Sequence, residues 1–159
     1  MKNEADCIII REMTRKDVAA AAAIEAANFS EPWSENSFLS SLNRTDYIFL
    51  VAEKVLEGSE AGEILGYCGF YYSFDEAEIT NVCVKEAARK QGLGRQILEE
   101  SFRRCKRLGV TTIELEVRFG NEPAVSLYKS LGFEEIGVRK NFYSKPVEDA
   151  RIMIKKNEE

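Results

Sequence analysis

Residues 89–95, Arg-Lys-Gln-Gly-Leu-Gly-Arg, constrain this 159-residue chain more than any other stretch. They lie between an apolar run, Ile79 to Val84, that reads as a strand, and a helical pattern that opens at Leu93. A strand feeding a glycine-rich loop and then a helix belongs to a mixed α/β domain. The N-terminus of a helix carries unpaired N–H groups and the positive end of the macrodipole, which together favour phosphate. Glycine, lacking Cβ, lets the backbone come close to such a group. Alone, the loop points to a phosphate-bearing ligand.

The flanking segments extend the pattern. Cys7 to Met13 reads as a first strand, and Thr14 with Asp17 forms a capping box that opens a helix through Asn28, rich in alanine at 19–23. Glu31-Pro32-Trp33 breaks it, and Ser34 caps a short helix through Leu42. Tyr47 to Lys54, Ile64 to Tyr72 and Glu76 to Lys85 then read as three strands of an antiparallel meander, with a polar turn between Val55 and Glu63. In the next helix Leu93, Ile97, Leu98, Ser101, Phe102, Cys105 and Leu108 share one face, while Glu99 with Arg103 and Glu100 with Arg104 are i,i+4 pairs. Gly109 ends it. Thr111 to Arg118 alternates, Ile113, Leu115 and Val117 against Glu114, Glu116 and Arg118. Asn121 to Leu131 is a helix with Pro123 in its first turn and Gly132 as its cap. Phe133 to Arg139 and Ala150 to Lys155 close the sheet. The expectation is one domain over 1–159.

Composition excludes several chemistries. The chain has no histidine, and its four cysteines (Cys7, Cys68, Cys83, Cys105) stand singly with no CxxC spacing. That argues against zinc ligation, Ser-His or Cys-His nucleophiles and a histidine base, and leaves the cysteines as small buried groups in a reducing cytoplasm. No metal is expected. A net charge of −5 lacks the basic surface of a nucleic-acid binder. No apolar run approaches membrane-spanning length, so neither a nucleic-acid nor a membrane partner is expected. Oligomeric state is not encoded in any of these features.

In order, the second half holds Asn81-Val82-Cys83-Val84, the 89–95 loop, Leu115-Glu116-Val117-Arg118, Asn121 and Leu127-Tyr128-Lys129-Ser130-Leu131-Gly132-Phe133. This succession resembles the GNAT superfamily of acetyl-CoA-dependent N-acetyltransferases, with Arg89 to Gly94 matching its R/Q-x-x-G-x-G/A loop. Pro32-Trp33-Ser34-Glu35 and Arg139-Lys140-Asn141-Phe142-Tyr143 look like the RimI-type subgroup, the bacterial ribosomal-protein-alanine N-acetyltransferases. The resemblance implies a mixed sheet with an antiparallel N-terminal meander, a splayed central strand pair and flanking helices. It also implies acetyl-CoA as co-substrate and, as partner, the N-terminal alanine of a small-subunit ribosomal protein. By the same resemblance Glu116 is the general base and Tyr128 the general acid. Backbone groups of Val82, Cys83 and Val84 hold the pantetheine arm; Arg89, Lys90, Gln91, Gly92, Leu93, Gly94 and Arg95 take the phosphates; Asn121 is a CoA contact.

Elementary chemistry accommodates those roles. An α-amine, with a pKa of about 8, must lose a proton before it attacks a thioester, and a carboxylate can accept it. A departing CoA thiolate, whose conjugate acid has a pKa of roughly 8.5, can take a proton from a phenol. Each residue also has a plainer reading: a solvated strand face for Glu116, a core aromatic for Tyr128, simple N-capping for Asn121. Trp33 is either a core plug or a wall of the peptide entrance, and Tyr143 a peptide contact in the connection before the last strand. Cys83 has no histidine partner and reads as a small side chain beside the thioester. The aromatic run Phe70 to Phe74 either lines the cleft or fills the core. Rival functions are acetylation of a small amine or a lysine side chain, and a non-catalytic CoA-binding regulatory module. The latter would have no need of both Glu116 and Tyr128. A dinucleotide fold fails because position 97 is Ile, not the third glycine of G-x-G-x-x-G.

Overall fold

The computed structural model describes residues 7–55, 58 and 62–157. Seven strands and four helices follow in the order β1 (Cys7–Glu12), α1 (Val18–Asn28), α2 (Glu35–Leu42), β2 (Tyr47–Val55), β3 (Glu63–Ser73), β4 (Glu76–Val84), α3 (Leu93–Arg107), β5 (Thr112–Arg118), α4 (Glu122–Ser130), β6 (Glu134–Ser144) and β7 (Val147–Lys156). They build one sheet in the order β1-β2-β3-β4-β5-β7-β6. Every neighbouring pair is antiparallel except β4–β5, which α3 joins as a parallel crossover. The expected turn between Val55 and Glu63 falls mostly outside the described residues. No helix among the described residues is long and apolar enough to cross a membrane.

Alternation along the strands creates two cores. On one face α3 and α4 lay Leu93, Ile97, Leu98, Phe102, Cys105, Val125 and Tyr128 onto Phe70, Ile79, Ile113, Leu115, Val117 and Met153. On the other, α1 and α2 pack Val18, Ala21, Ile24 and Phe38 against Phe49, Val51, Tyr67 and Cys83. The alanines of α1 let it sit close: Ala21 is fully buried. Its entry is tied by Asp17, which accepts from the Thr14 N–H at 2.7 Å and from both terminal nitrogens of Arg11 at 2.7 and 2.9 Å. The first turn, Arg15–Asp17, is 3-10 rather than α. Ser34 caps α2 by accepting from the Ser37 N–H at 3.1 Å.

Four expectations need correction. Cys7 is exposed, because it begins an edge strand; the other three cysteines are buried. Leu108 lies beyond the end of α3 and is 39% exposed. Arg103 pairs with Glu100 at 2.9 Å instead of with Glu99, which faces Arg95 at 3.9 Å. Finally, β6 and β7 are longer than the apolar pattern suggests. Asn141 adopts φ 55° within an irregularity between Arg139 and Tyr143, so the strand steps and continues to Ser144. Asparagine tolerates that left-handed backbone, which is why a residue resembling a strand terminator sits mid-strand. Tyr143 therefore belongs to β6, not to a connection.

Candidate active site

The cleft opens where β4 and β5 part. Their pairing runs from Glu76 opposite Thr112 to Ile79 opposite Leu115 and stops there. At the next residue β4 bulges: against β3, Ile79 faces Phe70 and Asn81 faces Gly69, leaving Thr80 as the extra residue. A bulge bends its strand and adds twist, and here it carries Asn81–Val84 away from β5 while they stay paired to β3. Val82, Cys83 and Val84 thus present one backbone edge to an open gap. Gly69 permits the packing behind the bulge, since a Cβ there would fall 2.1 Å from the Phe49 ring. The Thr80 hydroxyl is bonded to Tyr47. Cys83 is buried, and burial pushes its thiol up against the opposing influence of Arg89, which disfavours the thiolate a nucleophile needs.

Below the gap lies the glycine-rich loop. Lys90 (φ 65°) and Gly92 (φ 76°) are both left-handed, the alternation that gathers successive N–H groups into an anion-binding concavity at the start of α3. The first intrahelical bond runs from the Gln96 N–H to Gly92 O at 3.1 Å, so the N–H groups before it are available. A Cβ on Gly92 would meet nothing within 4 Å, and one on Gly94 only ordinary contacts with Leu127 and Val84, so this surface is open to a ligand. The two loop arginines have protein partners. Arg89 donates from Nε to Val84 O at 3.0 Å and also to the Asn28 side chain, lashing the loop to the ends of β4 and α1. Arg95 donates to Ser130 Oγ on α4 at 2.5 Å. Lys90 and Gln91 are exposed, and Leu93 is buried beneath them. Asn121 caps α4, its Oδ1 accepting from the Ala124 N–H at 3.3 Å. These loop backbone groups fit a pyrophosphate, and the unpaired β4 edge fits an extended pantetheine arm.

Glu116 occupies the β5 wall, on the sheet face opposite α3 and α4, with its side chain only 14% exposed and Arg139 Nε 3.1 Å away. Burial raises its carboxyl above the ordinary carboxylate range despite Arg139, and Glu78 and Glu114 push the same way. Tyr128 projects from α4 on the other face, 7% exposed, its ring edge-on to Phe133. Its hydroxyl finds no hydrogen-bond partner among the described residues, and burial pushes it well above the usual phenol value. The two groups lie on opposite faces of the sheet.

Around the β5 end of the gap, the α1–α2 loop is clasped to the β6–β7 hairpin. Ser30 donates to Lys145 O, Ser144 donates to Glu31 Oε1 at 2.8 Å, and Arg118 donates to Lys145 O and Pro146 O, each at 3.1 Å. Arg118 also lies 4.3 Å above the Tyr143 ring, whose hydroxyl burial and nearby Glu116 push up to about 12. Trp33 is half-buried against Phe38, Tyr47 and Phe49. The aromatic run divides: Phe70 is core, Tyr71 donates to Glu78 on the Glu116 side of the sheet, and Phe74 is 94% exposed in the β3–β4 turn. Sequence reasoning passed over Glu25, a carboxylate only 3% exposed on α1. The signal was present, since Glu25 falls at helical spacing from Val18, Ala21 and Ile24 on the buried face.

Residues 18–133 match the sequence profile of the acetyltransferase (GNAT) family. A Bacillus subtilis protein carrying the provisional name of a ribosomal protein bS18-alanine N-acetyltransferase is 38% identical over 145 residues, 91% of this chain and 92% of that one. The ribosomal protein bS18-alanine N-acetyltransferase of Escherichia coli K12 is 34% identical over 142 residues, 89% and 90% of the two chains. The crystal structure of a ribosomal-protein-alanine N-acetyltransferase from Escherichia coli superposes with a TM-score of 0.84 at 32% identity, covering 96% of each chain. The splayed strand pair and the phosphate-ready helix start agree with these matches: the chain belongs to the acetyltransferase (GNAT) family and is an acetyl-CoA-dependent N-acetyltransferase.

Proposed function

We propose that the enzyme acetylates the N-terminal α-amine of a protein, the alanine terminus of a small-subunit ribosomal protein foremost, as one catalytic domain over 1–159 working in the cytoplasm. What carries this reading is the likeness over about nine-tenths of both chains to enzymes named for that reaction. Acetyl-CoA binds with its pyrophosphate on the N–H groups of residues 90–95 and its pantetheine along Val82–Val84. The amine enters beneath the clasp of Ser30, Ser144 and Arg118, with Trp33 and Tyr143 on its walls. Glu116 accepts the proton of the α-ammonium, directly or through one water. The freed nitrogen lone pair attacks the thioester carbon; the C–N bond forms and the carbon–sulfur bond breaks. The sulfur leaves as thiolate and takes the Tyr128 phenolic proton, while the attacking nitrogen sheds its second proton to solvent as the amide forms and Tyr128 regains one from solvent. With no covalent enzyme intermediate, positioning and electrostatics supply the acceleration.

The test is CoA release from acetyl-CoA with mass spectrometry of the products. The acceptors are an alanine-starting peptide, the same peptide with a blocked terminus and free lysines, and a panel of small amines. Acetylation of the free alanine terminus alone is expected. Activity confined to lysines or small amines would discard the substrate while keeping the chemistry, and CoA binding without turnover of any amine would indicate a binding module.

A further inference from the structure

A buried polar cluster joins α1 to the bulged end of β4. The Glu25 carboxylate accepts from Tyr67 OH at 2.8 Å, from the Trp33 N–H at 3.1 Å and from Asn81 Nδ2 at 3.2 Å. Three donors converge on an acceptor-only group, which fixes the Asn81 amide: the nitrogen faces Glu25 and the oxygen faces away. Asn81 is 6% exposed, and its Oδ1 is buried with no hydrogen-bond partner among the described residues. Leaving such an acceptor unmet is costly, so an orphan of this kind calls for an explanation. Its position supplies one. Asn81 follows the Thr80 bulge, just past the last β4–β5 pair, Ile79 with Leu115. On β5 the residue just past that pair is Glu116. Asn81, one residue beyond the Thr80 bulge, and Glu116 therefore both lie in the stretch where the two strands have parted, and Asn81 immediately precedes Val82.

We infer that Asn81 Oδ1 is a second acceptor for the substrate's primary amine, held in orientation by Glu25 acting as a positioning residue. The inference rests on the amine-transfer reading above. A neutral primary amine has two N–H donors and one lone pair. Directing one N–H to Asn81 and the other toward Glu116 leaves the lone pair aimed between the walls, at the thioester carbon. The oxygen is closed to solvent in the free enzyme and is reached when the amine displaces neighbouring side chains, a tightening common to catalytic hydrogen bonds.

The test uses whichever amine the wild-type enzyme acetylates, so failure of the alanine assignment leaves it intact. Asn81→Ala is expected to lower kcat/KM for the amine by about tenfold or more, the scale of one lost buried hydrogen bond, with CoA affinity by calorimetry essentially unchanged. Unchanged kcat/KM would overturn the inference. So would a loss accompanied by equally weakened CoA binding, which would assign the oxygen to the pantetheine arm. Should that variant fail to fold, the exchanged pair E25Q/N81D decides. It keeps an amide–carboxylate bond between the two side chains and leaves an acceptor oxygen in the place of Asn81 Oδ1. Retained amine turnover supports the inference, and loss of turnover with intact CoA binding overturns it.

Discussion

On an alternating strand a glutamate is ordinarily solvated, but Glu116 is largely covered, and that shapes its titration. Burial raises its carboxyl, and Arg139 at 3.1 Å opposes the rise. A general base works when ionised, so kcat/KM should fall as pH drops through this raised value. Arg139→Ala removes the opposing influence; the acid limb of the pH–rate profile should move to higher pH, and an unmoved limb would separate Glu116 from the base role. Glu116→Gln should lose the limb and most of the rate while CoA affinity stays near wild type. Tyr128 allows a cleaner contrast because its hydroxyl has no hydrogen-bond partner among the described residues. Tyr128→Phe should reduce turnover roughly 10²-fold, the scale of a proton-transfer group, without lowering Tm. Undiminished turnover would make Tyr128 a packing residue. At this scale the sequence was readable only through the ordered motif. Periodicity alone puts Glu116 on a wet face and Tyr128 in a core, and both are half true.

Elements decide whether those residues have a gap to work in. Thr80 is the surplus residue of the bulge, and deleting it would leave Asn81, Val82 and Cys83 on their present faces. The strand would straighten and continue its pairing with β5 past Ile79 and Leu115. Such a deletion should therefore still fold, as judged by thermal denaturation, yet bind CoA at least tenfold more weakly by calorimetry, because the β4 edge is no longer free. Unimpaired binding would remove the bulge from the explanation of the splay. The start of α1 depends on a different device. Asp17 is covered, which raises its carboxyl, but the bonds from Arg11 and Thr14 outweigh burial and hold it below the ordinary carboxylate value. A lowered value in the folded state means the stabilisation is complete above the unfolded pKa of about 3.9 and is lost as pH falls through the folded one. Asp17→Asn should cost about 1.5–3 kcal/mol near neutral pH, a drop in Tm of roughly 3–12 °C for a chain of this size. The difference from wild type should shrink in acid; a constant difference would assign the effect to packing. The capping pair Thr14 and Asp17 was legible in sequence, whereas the place of the bulge was not, since Glu76 to Lys85 reads as an unbroken strand and only the family resemblance implied a splay.

Across the whole molecule, Arg118 connects three remote segments: the end of β5, the α1–α2 loop and the β6–β7 hairpin. It also pairs with Glu148 at 3.1 Å. Arg118→Ala should open this clasp and raise KM for the acceptor amine several-fold while leaving KM for acetyl-CoA little changed, because the phosphate loop lies elsewhere; equal effects on both substrates would contradict a role at the amine entrance. The sequence by itself determined the sheet-and-helix order, the apolar faces, the glycine-rich helix start and the residue types available for proton transfer. Each of these follows from local periodicity, capping and turn chemistry, interactions that span a few residues. Tertiary structure alone decided the point at which β4 parts from β5, the continuation of β6 to Tyr143, the engagement of Arg89 and Arg95 by Asn28, Val84 and Ser130, and the meeting of Glu25 with Asn81. The physical reason is separation along the chain. Glu25 and Asn81 stand 56 residues apart, and their partnership exists only once both cores have formed on either side of the sheet.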